Sequence, residues 1–336
     1  MAKTVFELRP EDFAVAAAPK FSHAEWAAYE GVVPAGALCV TVGRQVAGVT
    51  EYFVGDGVHR YAALEKSGNA AMDALAMNDC LYDGVDLSIK FAAEIAGYSD
   101  VWAWIQARIT AANYKGIHVG DWIPFDMVTY DTNRVAGTVA MQAQIAGIDT
   151  YYECLVPQLD HHIDFISKDL YPTSVQWNTT ATNNGNATES SPWLASNIYS
   201  ILNNTWFTYL PSALQSQITT KLTSLPVRYS ASGLLTDDNN FKIGNAGKLW
   251  LPSEYEISGS LTQSGVYNSG LSMQYPIFKN KSLDKIKTVN NIRKNWWTMT
   301  CFKSIVSVLD VSNYGPFEPQ TVTNVNYAPI CFRIGG

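Results

Sequence analysis

The sequence predicts an α+β fold, with strands near the two ends of the chain and helices between them. Short runs of β-branched and aromatic residues, separated by glycine turns, occupy the first 64 positions and return after residue 225. Apolar residues recur at helical spacing between 85 and 112 and between 194 and 222. A chain of 336 residues with 47% hydrophobic content can bury a sizeable core and is long enough for two or three domains.

Residues 1–64 are predicted to form a small β-rich module. The segments 36–42 and 51–54 have the composition of two strands of a hairpin around a glycine-rich turn. Gly55-Asp56-Gly57 predicts a tight turn, because glycine adopts positive φ without strain. A short helix is expected over 21–29, where Ser22 and Glu25 have capping-box spacing.

Residues 65–115 are predicted to be a helical connector. Its second helix carries an apolar stripe, formed by Val101, Ile105, Ile109 and Ala112. Such a stripe needs a covering surface. Two surfaces could bury this stripe: a second protomer in an oligomer, or the rest of the same chain.

Residues 116–336 form the largest predicted domain. It is expected to contain strands over 120–125 and 248–255, two helices within 191–223, and a Thr/Asn/Gly-rich loop over 178–190. Two further strands are predicted near its end, at Trp296-Trp297 and over 329–334. Between those two strands, aromatic and polar residues alternate with no clean period, which is typical of a binding surface rather than a core strand.

The order of these motifs resembles the C-type-lectin-like domain of phage and prophage tail-fibre receptor-binding proteins. The matching segments are the Trp296-Trp297 strand, the turn at 311–315 and the terminal strand at 329–334. The strand at 120–125, the helix at 196–207 and the segment 248–255 extend the resemblance over roughly two thirds of the chain. The order of motifs within 26–58 resembles the small N-terminal modules of the group that includes the major tropism determinant.

This resemblance implies a protein of the virion, located at the tail-fibre tip and assembled in the host cytoplasm. It implies a host-cell surface receptor, either a protein or a glycan, as the partner, together with other tail proteins. The chain is expected to be a homotrimer joined through residues 1–115, with no cofactor and no metal. Some members of the group are variable proteins of diversity-generating retroelements.

Receptor contacts are expected in the C-terminal region, while Trp296, Trp297, Pro329 and Phe332 are assigned to the scaffold. A rigid sheet that carries exchangeable side chains would allow contacts to vary without loss of the fold. The predicted receptor-binding residues are Thr298, Thr300, Phe302, Lys303, Ser304, Ile305, Val306, Ser312, Asn313, Tyr314, Phe317, Glu318 and Gln320.

Composition and charge indicate which classes of binding partner and which cellular locations are favoured. A net charge of −7 disfavours nucleic acid, and no apolar run reaches the length of a membrane span. The opening residues lack the pattern of a secretory signal peptide. The five cysteines show no paired spacing of a zinc or redox site. Basic residues outnumber acidic ones over 271–336, which suits either an acidic cell-surface glycan or an ordinary solvated loop.

Catalytic and metal-binding alternatives rest on carboxylates. Asp160, His162 and Asp164 would share one face of a strand, but no remote histidine completes a metal site, so none is predicted. Carboxylate pairs such as Asp237-Asp238, or Glu254 with Glu256, could serve a glycosidase. A glycan-cleaving tail enzyme and a purely structural fibre or baseplate protein are therefore the alternatives. The chain lacks a nucleophile elbow and a phosphate-binding glycine loop, which favours a non-enzymatic role.

Overall fold

The computed structural model divides the chain into two compact units, Met1–Tyr82 and Asp83–Gly336. Helices and antiparallel strands are mixed, and the fold class is α+β, as predicted. In the part of the chain that the structure describes, no helix is long and apolar enough to cross a membrane. The described residues are 20–21, 38–41, 52–54, 84–130, 133–154, 160–229, 241–264, 273–280 and 282–335.

The first unit contains a three-stranded sheet in the order β1-β2-β3. The predicted hairpin is confirmed, because β2 and β3 pair antiparallel with Leu38 opposite Val54, while β1 pairs parallel with β2. The helix predicted over 21–29 is corrected at its start, since Phe21 lies in β1; its remainder and the Gly55-Asp56-Gly57 turn lie outside the described residues. The strands are β1 Lys20–Phe21, β2 Leu38–Thr41 and β3 Tyr52–Val54.

The second unit opens with three helices, so this part of the predicted connector is in one unit with the sheets that follow. The N-terminal ends of the first and third helices are capped by the side chains of Asp86 and Asp100, which accept hydrogen bonds from main-chain N–H groups of the first turn. Residues 65–83 of the connector lie outside the described part. The helices are α1 Leu87–Lys90, α2 Ala92–Ile95 and α3 Val101–Thr110.

The apolar stripe of α3 is covered by the chain itself. Ile105 and Ile109 are fully buried, and the ring of Trp102 packs edge-on against Phe165 and Phe332, with centroids 6.2 and 5.9 Å away. The same-chain alternative is therefore correct for Ile105 and Ile109. Val101 is partly buried, and Ala112, which was also predicted on the stripe, lies beyond the end of α3 and is exposed. The expectation that a neighbouring protomer covers Ile105 and Ile109 loses its physical basis.

The main sheet has six strands, in the order β11-β18-β6-β5-β4 with β8 also beside β18. All its pairs are antiparallel, and the predicted terminal strand, β18, lies inside the sheet, with β6 on one side and both β8 and β11 on the other. The side chains from Pro329 to Ile334 are buried because neighbouring elements cover both faces of β18. The strands are β4 Trp122–Tyr130, β5 Ala136–Ile148, β6 His162–Leu170, β8 Ile218–Thr219, β11 Leu249–Trp250 and β18 Pro329–Gly335.

The segment predicted as two helices within 191–223 is helical only from Asn197 to Gln217. Ile218 and Leu222, predicted on a helix face, lie in strands instead. Ile218 is in β8, which pairs with β18, and Leu222 opens the strand Leu222–Pro226 (β9), which pairs with the strand Phe241–Asn245 (β10). The helical part consists of α4 Asn197–Ser200, a π-helix Ile201–Thr205, a 3-10 helix Trp206–Tyr209 and α5 Ser212–Gln217.

The strand predicted over 248–255 is also shorter than expected. After β11, Ser253 starts helix α6 (Glu254–Ser258) through a capping box, in which its hydroxyl accepts from the Glu256 N–H and its own N–H donates to the Glu256 carboxylate. The helical cap therefore competes successfully with extension of the strand. The preceding hairpin pairs β9 Leu222–Pro226 with β10 Phe241–Asn245.

The C-terminal region adds a second, three-stranded sheet in the order β14-β15-β16. The predicted Trp296-Trp297 strand is confirmed as the start of β14, and the region predicted as an irregular surface contains β15 and β16. The elements are α7 Ile277–Asn280, a 3-10 helix Ser282–Lys285, β12 Lys287–Val289, β13 Ile292–Lys294, β14 Trp296–Cys301, β15 Ser307–Val311 and β16 Phe317–Thr321. A short pair, β7 Val175–Gln176 and β17 Val325–Asn326, lies beside them.

Candidate binding surface

The predicted receptor-binding residues lie at the two ends of the β14-β15-β16 sheet and in two of its strands, β14 and β16. Residues 302–306 join β14 to β15 at one end of the sheet, and residues 312–316 join β15 to β16 at the other. We call these segments the loop rim and the turn rim. Five residues of β15 separate them, a distance of roughly 17 Å. The predicted residues therefore form two separate surfaces rather than one patch.

The backbone of the loop rim is restrained by hydrogen bonds from the buried residue Asn183. The Asn183 side-chain amide donates hydrogen bonds to the main-chain carbonyls of Phe302 at 3.2 Å, Ser304 at 2.7 Å and Ser307. The Asn183 main-chain N–H donates to the carbonyl of Ile305 at 2.7 Å. One buried residue therefore restrains three carbonyls of the loop rim and the carbonyl of the first residue of β15.

A second buried residue, Arg228, completes the support. Its guanidinium donates to the carbonyl of Phe302 at 2.6 Å and to that of Lys303 at 2.9 Å. The main chain of Arg228 is itself fixed, because its N–H donates to Ser190 and its carbonyl accepts from Gly185, each at 3.0 Å. We call Asn183 and Arg228 the carbonyl clamp.

The carbonyl clamp fixes the backbone of the loop rim while its side chains stay accessible. All its hydrogen bonds to the rim go to main-chain carbonyls, so the clamp does not depend on which side chains the rim carries. Ile305 is 51% exposed, Lys303 is exposed, and Phe302 is partly buried. The loop is preorganised, which reduces the ordering entropy that binding would otherwise cost.

The turn rim presents the most exposed large hydrophobic residue of the described chain, Tyr314, which is 75% exposed. Gly315 follows it with φ +101°, a conformation that L side chains rarely adopt. The N–H of Tyr314 donates to the Ser312 hydroxyl at 3.3 Å, and the N–H of Asn313 donates to the Asn295 side chain at 3.0 Å. The backbone of this turn is therefore also held in place.

A buried carboxylate lies beneath the turn rim. Asp310 accepts hydrogen bonds on Oδ2 from the amides of Asn295 at 3.1 Å and Asn326 at 2.8 Å. Its Oδ1 has no hydrogen-bond partner within the described residues. Glu318 stands opposite it across the β15-β16 pair. Burial, together with the negative charge of Glu318, raises the pKa of Asp310 to about 6.

This raised pKa makes stability depend on pH. A carboxyl group in an unfolded chain has a pKa of about 3.9, so between about pH 4 and 6 the folded state binds the proton more tightly and stability falls as pH rises. We expect Asp310→Asn to raise the free energy of unfolding at pH 8 by about 2 kcal/mol and to flatten this pH dependence. Urea unfolding at pH 5 and pH 8 measures both effects. Asp126→Asn, at an exposed position of β4, is the control, and equal effects of the two substitutions would contradict the prediction.

Three predicted receptor-binding residues are corrected, because their side chains lie in the interior. The hydroxyl of Thr298 donates to the Leu309 carbonyl at 2.7 Å, and that of Thr300 accepts from the Glu254 N–H at 2.9 Å. Ser312 is 2% exposed. The ten others keep accessible surface. Lys303, Ile305, Tyr314 and Glu318 are exposed, and Phe302, Ser304, Val306, Asn313, Phe317 and Gln320 are partly buried.

The residues assigned to the scaffold are buried. Trp296, Trp297 and Phe332 have no exposed surface, and Pro329 is buried in β18. The indole N–H groups of Trp296 and Trp297 donate to main-chain carbonyls at 2.9 and 2.8 Å. The loop rim is therefore attached directly to a fully packed strand, β14, and the turn rim is connected to it through β15, which pairs with β14.

The residues considered for a metal site have other partners. Asp164 is held by two hydrogen bonds of 2.7 Å from Arg333, which lower the pKa of its carboxyl to about 2 even though burial acts in the opposite direction. His162 lies 4.0 Å from Asp164, and burial lowers its pKa. Among the described residues, no group of three His, Cys, Asp or Glu side chains is placed to hold a metal ion.

The carboxylates considered for a glycosidase serve structural roles where they are described. Glu254 is fully buried and accepts hydrogen bonds from Thr262, Gln263 and Ser264, which fixes the segment after α6. Glu256 is equally buried and is occupied by the capping box. Neither carboxylate is open to a substrate. The pair Asp237-Asp238 lies outside the described residues.

Residues 165–333, just over half of the chain, match DUF6273, a domain of unknown function. The chain belongs to the DUF6273 family. No curated protein and no solved structure matches the chain. The DUF6273 domain runs from β6 into β18 and so includes both rims, their scaffold tryptophans and the carbonyl clamp.

The carbonyl clamp could not be predicted from sequence patterns. Asn183 lies within a run of Thr, Asn and Gly residues that has the composition of an ordinary loop. Arg228 follows a short strand and belongs to no motif. A basic residue beside the proline-ended segment 222–226 carries no signal of its own, because its partners are carbonyls distant in sequence.

Proposed function

We propose that this DUF6273 protein is a receptor-binding protein at the tip of a phage or prophage tail fibre. Its region 116–336 acts as a C-type-lectin-like domain, and the two rims bind a host-cell surface receptor, either a protein or a glycan. The observation that carries the proposal is the loop rim, where buried side chains restrain the backbone through its carbonyls while Ile305 and Lys303 remain in solvent.

The physical case rests on preorganisation and on exposed anchors. A binding surface gains affinity when its backbone is ordered before the partner arrives, and the two rims meet this condition. Aromatic side chains carry much of the energy of interfaces, and Tyr314 combines a large ring, a hydroxyl group and 75% exposure. Lys303 adds a positive charge at the other rim, which suits acidic groups on a cell surface.

The proposal includes a non-enzymatic role without metal or cofactor. It also includes assembly as a homotrimer with other tail proteins in the virion. Identical tips held side by side would raise the strength of weak single contacts through multivalency. The trimer is proposed to be joined through residues 1–115, but not through Ile105 and Ile109 of α3, because these side chains are buried within their own unit.

Binding of the labelled full-length protein to a panel of bacterial cells tests the proposal. We expect Tyr314→Ala to weaken binding to a cell type that the unchanged protein recognises by roughly tenfold or more, as loss of an aromatic anchor does. Tyr98→Ala is the matched control, since Tyr98 is 44% exposed and lies in the α2–α3 connection. Equal cell binding by the two variants would show that the turn rim does not contact the receptor. Failure of the unchanged protein to bind any cell of the panel would contradict the function.

A further inference from the structure

A buried lysine–glutamate pair lies in the core, outside the candidate binding surface. Lys221 stands between β8 and β9, and Glu256 lies in α6. Both residues have 0% exposure, and the Lys221 Nζ directly contacts Glu256 Oε1. A lysine that is fully removed from water and held against one carboxyl group is rare enough to require a chemical explanation.

Three aromatic rings enclose the lysine amine. The Nζ of Lys221 lies 3.7 Å from the ring centroid of Trp250, 5.1 Å from that of Tyr275 and 5.5 Å from that of Tyr151. All three rings are buried, so bulk water does not solvate the amine. This burial lowers the pKa of Lys221 and favours the neutral amine, which is the nucleophilic form of lysine.

The carboxyl group of Glu256 is activated from the opposite side. Tyr151 donates its hydroxyl to Oε1 at 2.6 Å, and the main-chain N–H of Ser253 donates to Oε2 at 2.8 Å. Burial, followed by the charge of Glu256, raises the pKa of Tyr151 well above its ordinary value, so its hydroxyl remains a donor. Fixed donors aimed at carboxyl oxygens stabilise the negative charge that develops when a nucleophile attacks the carbon.

The two residues are also held in position through their main chains. The N–H of Lys221 donates to the Gly247 carbonyl at 3.1 Å, and its carbonyl accepts from the Ala246 N–H at 2.7 Å. The N–H of Glu256 donates to the Ser253 hydroxyl at 3.2 Å. Reacting groups fixed in contact reach effective molarities on the order of 10⁵ M or more, which accelerates even an intrinsically slow condensation.

From this geometry we propose that Lys221 and Glu256 become joined by an intramolecular isopeptide bond. One proton of the Lys221 ammonium moves to Oε1 of the Glu256 carboxylate, and the neutral Nζ attacks Cδ. The Nζ–Cδ bond forms and the Cδ–Oε1 bond breaks. A second proton of Nζ moves to Oε1, which leaves as water, and the third remains as the amide N–H. No oxidant, reductant or further reactant takes part.

The product fits the surrounding hydrogen bonds. Oε2 becomes the amide carbonyl oxygen and continues to accept from the Ser253 N–H, so the cap of α6 is retained. The nearby carboxylate of Asp164 is not the acceptor, because both of its oxygens are held by Arg333. The bond would join the residue that precedes β9 to α6 across 35 positions of the sequence.

The chain offers an internal control at Lys242 and Glu189. These side chains are also in direct contact, but they are 35% and 29% exposed. Water therefore solvates the ammonium and the carboxylate, and the ion pair is stable as such. We expect no covalent bond at this pair.

Mass spectrometry of the reduced, full-length chain tests the proposal. The intact mass is expected to be lower than the sequence mass by one water molecule. Lys242→Met should retain this deficit relative to its own sequence mass, whereas Lys221→Met should abolish it. A full sequence mass for the unchanged protein, or a deficit that persists in Lys221→Met, would overturn the proposal.

Peptide mapping of the unchanged protein gives an answer that does not depend on whether Lys221→Met folds. After denaturation and digestion, the proposal predicts one branched peptide that contains both Lys221 and Glu256. Two separate linear peptides with an unmodified lysine and glutamate would show that the pair is an ordinary buried ion pair.

Discussion

Replacing Arg333 with methionine is expected to lower the free energy of unfolding by about 3–5 kcal/mol. Arg333 lies in β18 and donates from Nε and Nη2 to the two carboxylate oxygens of Asp164, each at 2.7 Å. Both side chains are buried. Methionine fills a similar volume but leaves the Asp164 carboxylate without its positive partner in a low-dielectric interior. Guanidinium-induced unfolding at pH 7 measures the loss.

The pH dependence of this loss identifies its cause. The guanidinium of Arg333 holds the pKa of Asp164 at about 2, below its value in an unfolded chain, so the contribution to stability is present above about pH 4 and lost as pH falls toward 2. The difference between Arg333→Met and the unchanged protein should therefore shrink below pH 4, where Asp164 can become neutral. A difference that is constant with pH would indicate lost packing instead of lost charge.

Two further variants complete this test. Arg293→Met removes an exposed arginine of β13 and is expected to change stability by less than about 0.5 kcal/mol. A double variant that combines Arg333→Met with Asp164→Leu removes both charges and should recover part of the loss, because no uncompensated charge remains buried. A double variant that is as unstable as the single one would contradict this account.

The sequence predicted secondary structure correctly where local residue preferences and tertiary contacts favour the same element. The terminal strand, the Trp296-Trp297 strand and the β2-β3 hairpin were predicted from short apolar runs, and each is present. In these places propensity, turn chemistry and packing all favour the same structure.

The sequence was a poor guide where long-range contacts decide the outcome. Alternation within a strand predicts one buried face, but every residue of β14 is buried. At the start of α6 the Glu254 N–H donates to the Thr300 hydroxyl, and the Met299 N–H donates to the Pro252 carbonyl. Thr298 and Thr300 were therefore assigned to the surface in error. Ile218 was assigned to a helix because its pairing with Ile334 of β18 involves a strand more than a hundred positions away.

The candidate surface also depends on contacts between residues that are distant in sequence, which sequence patterns do not reveal. The exposed side chains of the two rims could be selected from their irregular, aromatic-rich pattern. The carbonyl clamp could not, since Asn183 and Arg228 lie 119 and 74 positions from Phe302 and contact its main chain. Every residue type has a main-chain carbonyl, so a contact to that carbonyl does not restrict which amino acid occupies the supported position.

Replacing Trp297 with alanine is expected to lower the free energy of unfolding by about 3–5 kcal/mol. Trp297 has no exposed surface, and its indole N–H donates to the Val175 carbonyl at 2.8 Å. Alanine would leave a cavity under β14 and a buried carbonyl without its donor. Thermal and urea unfolding of the two proteins measure the loss.

Tyr314→Ala is the matched comparison, because it removes an aromatic ring of the same sheet that is 75% exposed. We expect it to change stability by less than about 0.5 kcal/mol while it weakens cell binding. Trp297→Phe separates the two parts of the Trp297 effect, since it keeps most of the volume and loses only the donor to Val175. If Trp297→Ala were no more destabilising than Tyr314→Ala, β14 would not be the scaffold of the two rims. The proposed function assumes that residues of β14 maintain the fold and that residues of the rims bind the receptor. That result would contradict this assumption.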